Sequence, residues 1–325
     1  MHQNPSGTAS EPHPLGSSAT APEHPSPSQS PRGEWLLPLA LFLLTLLTTF
    51  AVGSRLARNF HEGRPAFSIQ RDWNPFAGLW GDPSLLLLGL PFAVTLLGVL
   101  LAHELGHFFT CRHYRIDASY PYFIPAPTML GTMGAFIRIR SAIVTRRALF
   151  DVGISGPLVG FALALPVLVY GIAHSKVIPA MHSGGAVYLG NPPLVLLLEG
   201  LFFPGISPAN IYLHPIARAG WVGLFATALN LLPVGQLDGG HILYSVWGKR
   251  HRAISLAVAL ALIAVGVIPG MWQGWTLWGL LLLVLGLRHP SVMDPAPLGA
   301  ARRGMAGVAL LLLLLCFTPV PFEVL

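Results

Sequence analysis

The stretch Leu101-Ala-His-Glu-Leu-Gly-His-Phe-Phe109 sets His103, Glu104 and His107 in otherwise apolar surroundings. His103 and His107 are four residues apart, so on a helix their imidazoles lie about one turn apart on one face. That spacing lets both reach a single metal ion, while Glu104 flanks the site closely enough to handle a proton. With 13 histidines in 325 residues, H-E-x-x-H arises by chance in roughly 1% of shuffled sequences of this composition. A charged group at mid-helix in a membrane costs about 2.5–3.5 kcal/mol even on insertion scales, so such groups ordinarily have partners and a function. The bland alternative is a histidine pair satisfied by helix–helix hydrogen bonds, with Glu104 lining a polar cavity.

A catalytic zinc site usually has three protein ligands and one open position. The candidates for the third ligand near membrane depth are Cys111, Asp151, Glu199 and Asp238. Cys111 continues the face of His107, although a small buried cysteine is more often packing. Asp151 reads as an acidic helix-start residue, and Glu199 falls on the other side of the membrane. Asp238 is the strongest choice. It lies in Ala228-Leu-Asn-Leu-Leu-Pro-Val-Gly-Gln-Leu-Asp-Gly-Gly-His241, where Pro233 and Gly235 break the helix. Irregular backbone at membrane depth is tolerated only when it is buried or lines a cavity. The spans carrying His103 and Asp238 run in the same direction, which brings their polar residues to one depth. Asn230 is placed to donate to a developing oxyanion or to tie the broken helix together; His241 is at most a supporting residue.

The elements holding these groups are membrane helices. The chain is 53% hydrophobic and 10% charged, with mean hydropathy +0.62, whereas soluble domains carry about 25% charged residues. That excludes a soluble globular enzyme and a disordered protein alike. Apolar runs near 35–53, 84–110, 150–173, 217–246, 253–270, 272–287 and 304–322 predict about seven transmembrane helices of an all-α polytopic membrane protein. The run Leu194–Pro204 carries Glu199 and reads as an interfacial or re-entrant piece. Residues 1–33, rich in Pro and Ser, read as a disordered tail with no cleavable signal peptide. Residues 34–83 form the first span and an external loop, 84–250 the catalytic core, and 251–325 the C-terminal spans. Only two cysteines occur, Cys111 and Cys316, both in apolar surroundings, which argues against a disulfide framework.

The formal charge of +6 is read as basic cytoplasmic loops, with no nucleic-acid partner. With the N-terminus inside, 13 Lys/Arg fall on the cytoplasmic side and 6 outside. Arg55, Arg58, Arg64 and Arg71 in the first external loop run against this tally, and Glu62, Asp72 and Asp82 offset them only in part.

HELGH on one span and N-x-x-P-x-x-x-x-D-G on a later one resemble the site-2 protease family of intramembrane zinc metalloproteases. Asp151-Val-Gly-Ile-Ser-Gly-Pro-Leu-Val-Gly-Phe161 resembles that family's third core span. Asn230–Gly240, Tyr120–Pro127 and Gly131–Ile139 are similar to the branch lacking a PDZ domain, found in bacteria and plant plastids. The interval 175–216, about 40 residues, is also too short for a PDZ module. The resemblance covers about residues 84–250. It implies His103, His107 and Asp238 as Zn²⁺ ligands, Glu104 as catalytic base and Asn230 near the scissile carbonyl. It also implies transmembrane protein substrates in a lipid bilayer; a bacterial plasma membrane is preferred over a plastid one, and the Lys/Arg orientation puts the site towards the cytoplasm.

Three supporting segments complete the reading. Pro121, Pro125 and Pro127 oppose helix, and the alternation over Ala135–Arg140 predicts a short membrane-associated β-hairpin after the HExxH helix. Its edge is a place to receive an unwound substrate as an added strand, with an amphipathic surface hairpin as the alternative; Arg138 and Arg140 read as headgroup contacts. Gly156 and Gly160 read as helix-packing positions, and Trp272, Trp275 and Trp278 as interfacial anchors. The rival functions are a membrane transporter using the same His/Asp site, disfavoured by the lack of an internal repeat, and a proteolytically silent homologue that binds membrane proteins.

Overall fold

A computed structural model of the chain describes residues 33–68, 74, 87–179, 186–287, 289–294 and 296–324. The tail through Arg32, and Arg71, Asp72, Asp82 and Arg288 of the charge tally, lie outside the described residues. The described chain is mostly helical. Helix α1 (Leu36–Glu62) ends at Gly63, whose left-handed backbone (φ 66°) turns its N–H onto Asn59 O. Helix α2 (Leu90–His113) starts beside Pro91, where a missing N–H costs nothing. Strands β1 (Tyr122–Pro125) and β2 (Thr132–Phe136) pair antiparallel, Tyr122 opposite Phe136. Helix α3 (Arg146–Ala173) is capped by Thr145, whose hydroxyl accepts from the Ala148 N–H at 3.1 Å.

Beyond α3 come β3 (Lys176–Val177), β4 (Val187–Leu189), α4 (Pro193–Phe202) and β5 (Ile211–Tyr212). Helices α5 (Pro215–Leu231), α6 (Asp238–Trp247), α7 (His251–Gly266), α8 (Gly274–Leu285) and α9 (Ala300–Cys316) follow, then β6 (Phe322–Val324). Strand β3 pairs with β5 and β4 with β6, both antiparallel.

Three helices among the described residues are long and apolar enough to cross a membrane: Leu36–Glu62, Leu87–His113 and Arg146–Ala173. The apolar run at 217–246 divides into α5 and α6, and the run at 253–287 into α7 and α8, which pack on each other around Pro269-Gly270. Helix α8 has 12 residues, about 18 Å of rise, against about 30 Å for a hydrocarbon core. Leu277 and Val284 of that helix are 72% and 83% exposed, an outward apolar face that lipid can cover.

Helix α2 packs along α3, and α3 also packs on α5 and α6. Close approach comes from small residues rather than from apolar bulk, since lipid is itself apolar. A Cβ on Gly106 would meet Ser155 O at 2.7 Å. Two expectations change here. Trp275 is 1% exposed and donates from Nε1 to Pro319 O at 2.7 Å, so it is a core residue and not an interfacial anchor. Arg140 Nη1 lies 3.0 and 3.1 Å from the two Glu34 oxygens, tying the segment after β2 to the residues before α1 where a headgroup contact was expected.

Candidate metal centre

Helix α2 presents His103 and His107 one turn apart with Glu104 next to His103, and α5 ends with Asn230 in its last turn. Pro233 cannot continue α5, and Gly235 turns the chain with φ +57°. The chain therefore re-enters helix at Asp238, with the carboxylate facing α2. Asp238 Oδ2 lies 3.2 Å from His103 Nε2 and 3.3 Å from His107 Nε2. The two Nε2 atoms are 3.1 Å apart. Asn230 Nδ2 lies 3.2 Å from His103 Nε2. His103, Glu104 and His107 are all buried.

These three donor atoms fit a zinc ion. They form a near-equilateral triangle, and tetrahedral bonds of about 2.0–2.1 Å separate ligand atoms by roughly 3.3–3.4 Å. Asp238 Oδ2 is buried yet makes no hydrogen bond of acceptable geometry despite its two imidazole neighbours. Such an orphaned oxygen is costly unless something satisfies it. His107 Nδ1 sits 2.8 Å from Val152 O. Donation of Nδ1–H to that carbonyl leaves the Nε2 lone pair facing the other two donors, as a metal-binding imidazole requires. The donor set of two imidazoles and one carboxylate suits zinc. Glu104 stands beside this triangle, next to His103 on α2.

The other three ligand candidates lie apart from the triangle. Cys111 is buried among Ile116, Ala148 and Val152, in plain packing. Asp151 is in the second turn of α3 and is no helix-start residue; it takes a bidentate grip from Arg302 (2.8 and 2.6 Å) and a hydrogen bond from the Tyr114 hydroxyl. Glu199 is on α4, in the wall of a different cavity.

Helix α3 carries contacts that sequence reasoning missed. A Cβ on Gly156 would sit 2.0 Å from His107 Nε2, one on Gly160 3.0 Å from His103 Cβ, and one on Gly153 2.8 Å from His241 Cβ. The glycines are a bearing surface for the imidazoles themselves, beyond general helix packing. The available signal was the spacing 153, 156, 160, one helical face of small residues next to a histidine helix. His241 Nδ1 lies 2.8 Å from His289 Nε2, a support from the segment after α8.

A fold of apolar helices closing two histidines, an aspartate and a glutamate around one buried point defines a membrane metallopeptidase type of site. Residues 91–271 match the model of Peptidase family M50, and the chain belongs to that family, the site-2 protease family. It is 32% identical over 308 residues to "Probable zinc metalloprotease EGY1, chloroplastic" of Arabidopsis thaliana, covering 88% of this chain and 53% of that protein. The corresponding protein of Oryza sativa subsp. japonica is 31% identical over 302 residues, covering 88% and 50%. "Probable zinc metalloprotease EGY2, chloroplastic" of Arabidopsis thaliana is 32% identical over 193 residues, 57% of this chain and 33% of that protein. The chain spans about half the length of the curated EGY1 relatives it matches.

Proposed function

We propose that this chain is an intramembrane zinc metalloendopeptidase that hydrolyses peptide bonds in or near transmembrane segments of membrane-tethered proteins. The observation that carries this reading is the convergence of His103, His107 and Asp238 on one buried point beside Glu104. His103, His107 and Asp238 would hold a zinc ion through His103 Nε2, His107 Nε2 and Asp238 Oδ2. Zinc bound there would make water a stronger acid, from a pKa of 15.7 towards about 7, and would polarise the scissile carbonyl. Glu104 accepts the proton of the attacking water and delivers it to the leaving amine. Asn230, 3.2 Å from His103 Nε2, donates to the oxygen of the tetrahedral intermediate.

The hairpin is the substrate-receiving element in this reading. Backbone bonds from Ser119 N to Arg138 O and from Arg140 N to Asp117 O occupy one edge of the extended segment 137–140, so an unwound substrate adds to the opposite edge of β2. Proline substitutions across residues 134–139 are expected to abolish cleavage and leave zinc binding intact; unchanged cleavage removes the strand. The Lys/Arg tally supports a site near the cytoplasmic face, with α5–α6, α7, α8 and α9 completing seven spans around the core 84–250; the relatives' names place those proteins in the chloroplast.

The decisive experiment is zinc stoichiometry of the detergent-solubilised chain, read with cleavage of a membrane-tethered substrate. Wild type is expected to hold about one zinc per chain, His103→Ala and Asp238→Ala none, and Glu104→Gln to keep its zinc while losing hydrolysis. Well-folded wild type that takes up no zinc when metal is supplied overturns the proposal.

A further inference from the structure

At the other end of α3 from the metal centre, the described residues line a partly open cavity of about 530 Å³. Gly156 of α3 abuts His107, whereas Gly171 abuts Ala217, the neighbour of Arg218 in the cavity wall. The helix between those two contacts rises about 22 Å, so the cavity is a separate place from the metal centre. Its volume falls within the range of small-ligand sites, about 300–1,000 Å³.

Most of the wall is apolar, including Leu189, Met271, Pro319 and Val320. Three charged side chains stand in it: Glu199 and Arg218, which are sheltered, and Glu323, which is exposed to solvent. Glu199 of α4 is 2% exposed, and its Oε2 has no hydrogen-bond partner among the described residues. Arg218 of α5 is half-buried; Nε donates to Leu213 O at 3.2 Å, and the guanidinium carbon lies 5.2 Å from the Tyr212 ring centroid. Those two contacts orient the fork and engage only Nε among its nitrogens. Glu199 and Arg218 do not pair with each other. Water screens the exposed Glu323, so the sheltered charges are these two; a ligand carrying one charge would compensate only one of them, whereas a zwitterion compensates both.

We propose that this cavity binds a short peptide with apolar side chains, its ammonium group at Glu199 and its carboxylate at Arg218. The apolar wall takes the side chains, and the two charged groups set the direction of the chain. The oxygen of Glu199 left without a partner is the feature that demands a donor.

The test is calorimetric titration of the full detergent-solubilised chain with Leu-Ala-Leu, its N-acetyl derivative and its C-terminal amide. Saturable binding of the free peptide is expected, weakened about tenfold or more by either blocking group, the loss of one charge-assisted hydrogen bond. Glu199→Gln, near-isosteric, is expected to bind the free and N-acetyl peptides alike. His103→Ala is expected to bind as wild type does. Equal binding of all three probes to wild type, or no saturable binding of any, overturns the proposal. So does binding that survives Glu199→Gln undiminished but disappears in His103→Ala, which assigns the peptide to the metal centre. The probe series on the unaltered chain needs no variant to fold.

Discussion

Gly156→Ala puts a methyl group where the metal centre has no room for one. The added Cβ would lie 2.0 Å from His107 Nε2 and 2.5 Å from the two carbons beside it. Carbon contacts are comfortable at about 3.5–4.0 Å, so the imidazole or α3 must retreat by about 1.5 Å. The ring has little freedom to turn aside. Its Nδ1 is tied to Val152 O at 2.8 Å, and its face meets His103 with centroids 4.9 Å apart. Metal–ligand distances tolerate about ±0.2 Å, far less than the required shift. Overpacking itself costs about 1–3 kcal/mol, and a misplacement of about 1 Å at a reacting centre costs on the order of 100-fold in rate. Zinc per chain by elemental analysis, cleavage of a tethered substrate and the melting temperature together read the effect. Gly98→Ala is the control on α2, since a Cβ there meets nothing within 4 Å and alanine favours helix by about 0.5–1 kcal/mol. A Gly156→Ala chain with wild-type zinc content and wild-type cleavage refutes the reasoning.

Burial alone pushes the Glu199 carboxyl from its ordinary value of 4.5 up to about 7. Below about pH 4 it is protonated in folded and unfolded chains alike and carries no penalty; between 4.5 and about 7 only the unfolded chain ionises, so stability falls as pH rises. Above that window the full penalty, about 3 kcal/mol, is present, and Glu199→Gln is expected to raise the melting temperature at about pH 8 and leave it unchanged at about pH 4; equal curves for both chains would contradict this. Arg302→Met removes a two-bond grip on Asp151 between side chains 33% and 26% exposed, and a loss of about 1–2 kcal/mol is expected, checked by thermal denaturation in detergent. Trp275→Ala is expected to cost about 3–5 kcal/mol as a core deletion, and a melting temperature like that of wild type would return Trp275 to the membrane interface.

The chemistry-bearing residues were legible because their pattern is local. A spacing of four puts His103 and His107 on one face of any helix, and charge in an apolar run stands out whatever the rest of the chain does. Asp238 was legible for a related reason: Pro233 and Gly235 mark a helix break in the sequence, and a break at membrane depth needs a purpose. What stayed hidden depends on which segments meet. Asp151 resembled a helix-start acid because its partner, Arg302, is 151 positions away. Gly156 resembled generic packing because a missing side chain gives no hint of what fills its place. Trp275 looked interfacial because a tryptophan among leucines reads the same in a belt or in a core, until Pro319 O is found against its indole nitrogen. The same limit governs the helices. Hydropathy records apolar composition continuously, whereas a helix stops where its backbone geometry changes, as α5 does at Leu231 before Pro233 and α8 at Leu285 before Gly286 with φ 103°. By itself, then, the sequence determined the apolar class of the chain, the histidine face and the helix break at Asp238. Tertiary structure alone decided what presses on those histidines and where the second pair of charged walls stands, because contacts across segments depend on helix packing that no run of neighbouring residues encodes.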